Sequence, residues 1–355
     1  MSDKKNKIWT VATLSLIIFC VVAIGAVVAV IDPYFHYGKG LGFLSYPLHN
    51  QRYQNDGIAK HFDYDAVVIG SSMTENFKTS ELDELFDVNT IKLPFSGATY
   101  KEINDSLKVV MEHNNNVKVV VRGLDYVRMF DEASRMTYDD SEYPYYLYDD
   151  KLLNDVNYFY NKGVLINTAK VLLNTVTGAP SKDFDSYSYW NDNYSYGAEA
   201  VKQTYSRPET FSEIVPLSDE DYKNIYENIT QNVTSIAAEN PETEFYIFIS
   251  PYSIYYFDRA QRNGVLDKHI DAEKYITELL LEQDNINVFS FYDDYEMICN
   301  MDNYRDIAHY GAEINSQILV WMKEEKHQLT KDNYLQYYDN IREFFKNYNY
   351  NALFE

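Results

Sequence analysis

Hydrophobic and polar positions follow three different patterns along this chain. Residues Ile8 to Ile31 include no charged side chain. At ~1.5 Å per residue they make a helix of about 36 Å, enough to cross a hydrocarbon core of ~30 Å with some tilt. A cleavable signal peptide has a shorter apolar region, typically about 7–15 residues, ending at a small-residue A-x-A site. No such site is present here, so the stretch reads as a membrane anchor. Lys4, Lys5 and Lys7 precede it and no comparable cluster follows closely. That asymmetry places the N-terminus in the cytoplasm and everything from about Asp32 outside. Residues 32 to 64 are rich in Tyr, His, Gly and Pro without periodicity and read as a stalk.

A second pattern begins at Ala66-Val67-Val68-Ile69-Gly70, a short β-branched run that suits a strand buried on both faces. Phe77, Leu82, Leu85 and Phe86 follow at roughly helical spacing. The alternation continues with a strand at Thr90 to Phe95, a helix from about Tyr100 to His113 and a strand at Val117 to Val121. After a gap come a helix from about Glu220 to Glu239 with Ser218 as its cap, a strand at Glu244 to Ser250, a helix near Asp271 to Glu282 and a strand at Ile286 to Phe291. Strands alternating with helices of this length predict right-handed βαβ units. The fold class is therefore α/β: a doubly wound, flavodoxin-like parallel five-stranded sheet with helices on both faces, plus an N-terminal transmembrane helix.

The third pattern is the absence of one. From Met129 to about Pro216 the alternation stops and Tyr, Asp and Asn crowd the chain, as in Tyr143-Pro144-Tyr145-Tyr146-Leu147-Tyr148-Asp149-Asp150 and Tyr187-Ser188-Tyr189-Trp190. We read an insertion over the carboxyl ends of the strands. Its rings suit stacking on sugars, but Tyr is abundant throughout, with 35 in the chain, which favours lid packing. The pairs Asp139-Asp140 and Asp149-Asp150 read as solvated loop, since adjacent side chains diverge and nothing marks one as an acid. The expected organisation is a cytoplasmic tail at 1–7, a signal anchor at 8–31, a stalk at 32–64, the α/β domain at 65–326 with its insertion at about 129–216, and an amphipathic helix at 327–355.

Composition narrows the function. The chain has 355 residues and a formal net charge of −23, which argues against nucleic acid, whose phosphates would be repelled. Cys20 lies in the span and Cys299 in the distal domain, so no intramolecular disulfide is expected. Neither has the context of a nucleophile or a metal site, and a disulfide-free exported domain fits a bacterial surface protein. On that reading the sequons at Asn193, Asn228 and Asn232 carry no message. His36, His49 and His61 fall at no metal-ligand spacing, and His269 reads as a surface residue because nothing pairs with it at short range. No metal and no cofactor is expected.

Candidate chemistry sits at the strand ends. Ser71 and Ser72 follow Gly70 on the turn from the first strand, where α/β folds hold nucleophiles and ligands. Ser72-Met73-Thr74-Glu75 also fits a capping box, in which Ser72 would only tie off helical N–H groups. A second feature changes the balance: Asp306-Ile307-Ala308-His309, followed by Tyr310-Gly311 and an apolar helix face of Ile314, Ile318, Leu319 and Trp321. An aspartate three residues before a histidine, near a helix start, can meet it side by side and fix the imidazole tautomer that a serine needs from its base.

Gly70-Ser71-Ser72 and the late Asp306-to-His309 block resemble the SGNH (GDSL-like) hydrolases, most closely the membrane-anchored cell-envelope members such as the D-alanine transfer protein of teichoic acid synthesis and the alginate O-acetylation proteins. The resemblance implies a triad of Ser72 as nucleophile, His309 as base and Asp306 as its orienting carboxylate. It implies an oxyanion hole from Ser72 and Gly97 with a third position at Asp125, where the family has the asparagine of G-x-N. An ionised carboxylate repels an oxyanion that an amide would hold. Either Asp125 points elsewhere, or it is held protonated, or the hole rests on the N–H groups of Ser72 and Gly97.

The resulting expectation is an extracytoplasmic O-acyltransferase or esterase acting on a cell-envelope polysaccharide or teichoic-acid-like polymer, fed in the transferase case by a membrane acyltransferase partner. The alternative is a catalytically inactive binding or scaffolding component of an envelope-polymer complex, motivated by Asp125.

Overall fold

The computed structural model describes residues 2–139, 142–149, 151, 153–181 and 183–354. Of the paired carboxylates, Asp140 and Asp150 lie outside the described residues. The chain divides into two compact units, Met1–Phe62 with Asp140–Asp183, and Asp63–Asp139 with Phe184–Glu355.

In the first unit a helix runs from Ser2 to Ile31, and its part from Lys4 to Ile31 is long and apolar enough to cross a membrane. It stops at Asp32, which takes a left-handed conformation (φ 48°). The Asp32 carboxylate accepts from the backbone N–H groups of His36, Tyr37 and Gly38 and from the Tyr158 hydroxyl. Burial nevertheless raises its pKa, because desolvation outweighs those donors. Val28, Tyr34, Leu147, Tyr158 and Val164 form the apolar cluster next to this turn.

The stretch expected to be an irregular stalk contains a helix, Gln51–His61. Its buried positions are Gln54, Asn55, Asp56, Gly57, Ile58 and Ala59, mostly polar or small, so no apolar period marks it. Gly57 is required there, because a Cβ would lie 2.4 Å from the Phe35 carbonyl oxygen. Gln54 ties the helix start by accepting from the N–H groups of His49 and Asn50.

The second unit is an α/β sheet with helices around it. The strands are β1 (Ala66–Gly70), β2 (Thr90–Pro94), β3 (Val119–Leu124), β4 (Glu244–Ile249), β5 (Ile286–Ser290) and β6 (Gln328–Leu329), in the order β2-β1-β3-β4-β5-β6. The first five pair in parallel, as the β-branched runs predict. The sixth adds a two-residue antiparallel edge to β5, too short to show a period. β1 neighbours β2 on one side and β3 on the other. The strand order therefore reverses at β1, and the crevice outside its carboxyl end is where open α/β sheets bind ligands.

The helical region expected over Glu220 to Glu239 is broken by a π-turn at Thr230–Thr234. Asn228 and Asn232 are buried on it, with their amides on the carbonyls of Arg128 and Ala133. The terminal helix, Tyr334–Asn347, packs on this unit: Phe345 stacks on Phe257 with centroids 3.6 Å apart, and the Tyr338 hydroxyl meets that of Thr277 at 2.8 Å.

Candidate active site

Gly70 closes β1 because the turn doubles back on it, and a Cβ there would come 2.5 Å from Thr74 Cγ2. The next residue, not Ser72, is the cap. Ser71 Oγ accepts from the Met73 N–H at 3.3 Å at the head of a short 3-10 turn, Ser72–Thr74, and donates to the Asp125 carboxylate. The cap considered at Ser72 thus falls on Ser71, and as a single bond rather than a capping box, since Thr74 Oγ1 donates to the Ser71 carbonyl. Ser72, pointing the other way, has its Oγ 2.9 Å from His309 Nε2.

His309 is oriented by its own loop. Asp306 Oδ1 accepts from the N–H groups of Ala308 and His309, while Oδ2 lies 2.9 Å from His309 Nδ1. A carboxylate can only accept at that nitrogen, so Nδ1 carries the proton and the Nε2 lone pair faces Ser72. Burial works against the Asp306 charge, but the hydrogen bond and charge of His309 and the two N–H groups outweigh it, holding the pKa well below the ordinary carboxylate value. Arg305 Nε adds a contact to Asp306 Oδ2 at 3.3 Å, and its guanidinium lies 4.1 Å from the ring centre of Trp190 and 3.9 Å from that of Tyr194.

Several partners of this group carry no local sequence signal. Trp190 Nε1 donates to the Ser72 carbonyl at 3.2 Å, and its ring meets His309 edge-on. Asn76 Oδ1 accepts from the N–H groups of Trp190 and Asn191, Asn191 Oδ1 accepts from that of Ala312, and Asn315 donates to the Met73 carbonyl. The 184–197 segment, read as part of an irregular insertion, is thereby tied to the turn that carries Ser72.

Gly97 follows β2 in a left-handed conformation (φ 69°), with its carbonyl held by Arg128 and Thr137. Among the described residues neither its N–H nor that of Ser72 is taken up by a hydrogen bond. Asp125 is buried at the end of β3. One of its oxygens accepts from Ser71 and the other from Ser250 at 3.1 Å. Burial raises its pKa against those two hydroxyls.

His269 is a correction. It is half-buried rather than on the open surface: Nδ1 lies 3.2 Å from the Tyr256 hydroxyl, and its ring is 4.6 Å from that of Tyr126. Desolvation, with the charges of Lys268 and Arg259, lowers its pKa to about 4. A helical histidine between two aromatic residues distant in sequence gives no local cue to that burial.

No known family model matches this chain, and no curated protein matches it. Among solved structures it is similar to a protein from Streptococcus pneumonia provisionally named as a platelet activating factor, at 11% identity and a TM-score of 0.39, over 77% of this chain and 90% of that one.

Proposed function

We propose that the protein is a membrane-anchored, extracytoplasmic serine acyl-enzyme catalyst, an O-acyltransferase or esterase of the SGNH type acting on a cell-envelope glycopolymer. The observation that carries this reading is the relay from Ser72 Oγ through His309 to Asp306, with 2.9 Å at each step. In the proposed reaction Ser72 Oγ attacks an ester carbonyl as His309 Nε2 takes its proton, and the Asp306 carboxylate stabilises the imidazolium. The oxyanion sits against the free N–H groups of Ser72 and Gly97. His309 then protonates the departing alkoxide. Water or a sugar hydroxyl, deprotonated in turn by His309, accepts the acyl group, and the imidazolium returns that proton to Ser72 Oγ as it leaves. Hydrolase and transferase use the same residues and differ in which nucleophile reaches the acyl-enzyme.

Asp125 is the observation that favours the second reading, a non-catalytic scaffold, because it stands where a donor to the oxyanion is expected. Its oxygens are, however, engaged by Ser71 and Ser250, and the reading with a two-donor hole accommodates that. A fluorophosphonate probe on the full chain separates the two: covalent labelling at Ser72, none at Ser71, and none in His309→Ala. A folded protein that never labels at Ser72 would remove the catalytic reading.

A further inference from the structure

The first unit carries an apolar surface that its own fold leaves uncovered. The helix Lys162–Thr177 buries Val164, Asn167, Thr168 and Val171 on one side. On the other, Ile166, Ala169, Leu173 and Val176 recur at spacings of three and four, an apolar stripe that shares its exposed side with Lys162 and Lys170. Leu173 is 61% exposed and Val176 86%. Just upstream, Leu153 is 96% exposed and Val156 54%. A helix whose apolar stripe faces away from its own protein needs another apolar medium to cover it.

The occupant is indicated by the neighbour. This segment packs on the membrane-spanning helix: the Tyr160 hydroxyl donates to the Val21 carbonyl at 3.0 Å, and a Cβ on Gly25 would lie 2.8 Å from that hydroxyl. Val21 is ten positions before Ile31, which is about 15 Å along the helix axis. In a span whose hydrocarbon length is ~30 Å, a residue bonded to Val21 stands at bilayer depth. The charge agrees. Residues 151–181 contain Lys151, Lys162 and Lys170, all exposed, against the single acid Asp155, which is buried with His36 and Tyr37. This is a locally basic stretch in a chain of net charge −23.

We propose that the helix Lys162–Thr177, with the turn before it, is a second membrane element, its Ile166–Leu173–Val176 stripe set in the acyl chains of the adjoining leaflet beside the span, with Lys162 and Lys170, on the same exposed side, extending along it to anionic headgroups. The anchor is then two-point, and the first unit cannot swivel freely about a single helix. This inference rests on the membrane-spanning helix and is independent of catalysis at Ser72.

The test uses the full chain with Cys20→Ser and Cys299→Ala, carrying Leu173→Cys or Val176→Cys labelled with a polarity-sensitive fluorophore, in vesicles of phosphatidylcholine and phosphatidylglycerol. Both sites are exposed, so folding should survive, and far-UV circular dichroism matching the parent verifies it. The expected result is blue-shifted emission that lipids brominated along the acyl chain quench and aqueous iodide does not. Quenching by iodide alone would overturn the proposal in favour of a solvated helix. Quenching by neither would overturn it in favour of a protein cover, since only a second copy of this chain is present to provide one.

Discussion

Replacing Asp125 with asparagine gives opposite signs under the two accounts of this residue. Were the carboxylate aimed at the oxyanion, Asp125→Asn would substitute a donor for a repelling charge and raise turnover by up to ~10²–10³-fold. The geometry leads to the other expectation. Both oxygens accept from buried hydroxyls, Ser71 and Ser250, and hydrogen bonds to a charged acceptor contribute about 1.5–3 kcal/mol each. An asparagine keeps one acceptor oxygen and turns an NH2 toward the other hydroxyl, so one bond to a charged acceptor is exchanged for a weaker neutral one. Relief from burying an ionised group, which already raises the Asp125 pKa, offsets part of that. The net loss should be about 1–2 kcal/mol, read as a melting temperature lower by roughly 2–8 °C, with turnover level or reduced. The sign with pH follows from the raised pKa. Wild type is most stable relative to the variant below the ordinary aspartate value and gives up part of that margin as pH rises through the folded value, so the gap to Asp125→Asn should narrow with rising pH. The assay is aryl acetate turnover and thermal unfolding of wild type, Asp125→Asn and Ser72→Ala. An asparagine variant as stable as wild type with turnover raised a hundredfold would refute the structural-acceptor account.

Other expectations concern the relay, the turn and the anchor. Asp306→Asn should lower kcat by about 10⁴ while leaving substrate binding nearly intact, because the amide presents Nδ1 with the wrong partner. Its stability contribution has the sign of a depressed carboxylate: complete above the ordinary pKa and lost as pH falls through the folded value, so the gap between wild type and variant should stay level from pH ~5 to ~8 and close only on strong acidification. Gly70→Ala pushes a methyl onto Thr74, which should cost about 1–3 kcal/mol and abolish probe labelling of Ser72. Equal labelling would show that the turn can yield. A phosphatase reporter fused after the last residue should be active only if that end lies outside the cytoplasm, as the lysines before the span predict. An expressed but inactive fusion would reverse the orientation.

The parallel sheet was legible because its evidence is local. Val67, Val68 and Ile69, or Val119, Val120 and Val121, announce buried strands wherever they pack. What was not legible has no local carrier. The Gln51–His61 helix turns Gln54, Asn55 and Asp56 inward, and a polar buried face looks like a loop to any hydrophobic period. The sixth strand exists because His327 and the two residues after it meet β5, an edge two residues long. His269 owes its burial to Tyr126 and Tyr256, and only the folded chain brings those rings together.

The site divides along the same line, and the division separates two adjacent serines. Asp306 and His309 find each other within four residues, so their pairing can be read from spacing. Whether Ser71 or Ser72 is the cap depends on residues 54 and 237 positions away, Asp125 for the first and His309 for the second. Adjacent side chains on a tight turn point in different directions, so one serine committed to the cap leaves the next free to face the imidazole. Asp125 makes that commitment, since a carboxylate must accept from Ser71 whereas an amide can meet it with either end. On the proposed mechanism the aspartate therefore replaces an oxyanion donor with a strut for the nucleophile's turn. Trp190, bonded to the Ser72 carbonyl, holds the same turn from the opposite end of its peptide unit. The exchange is then coherent: the hole falls to the free N–H groups of Ser72 and Gly97, and the acceptor that took the donor's place keeps one of them aimed.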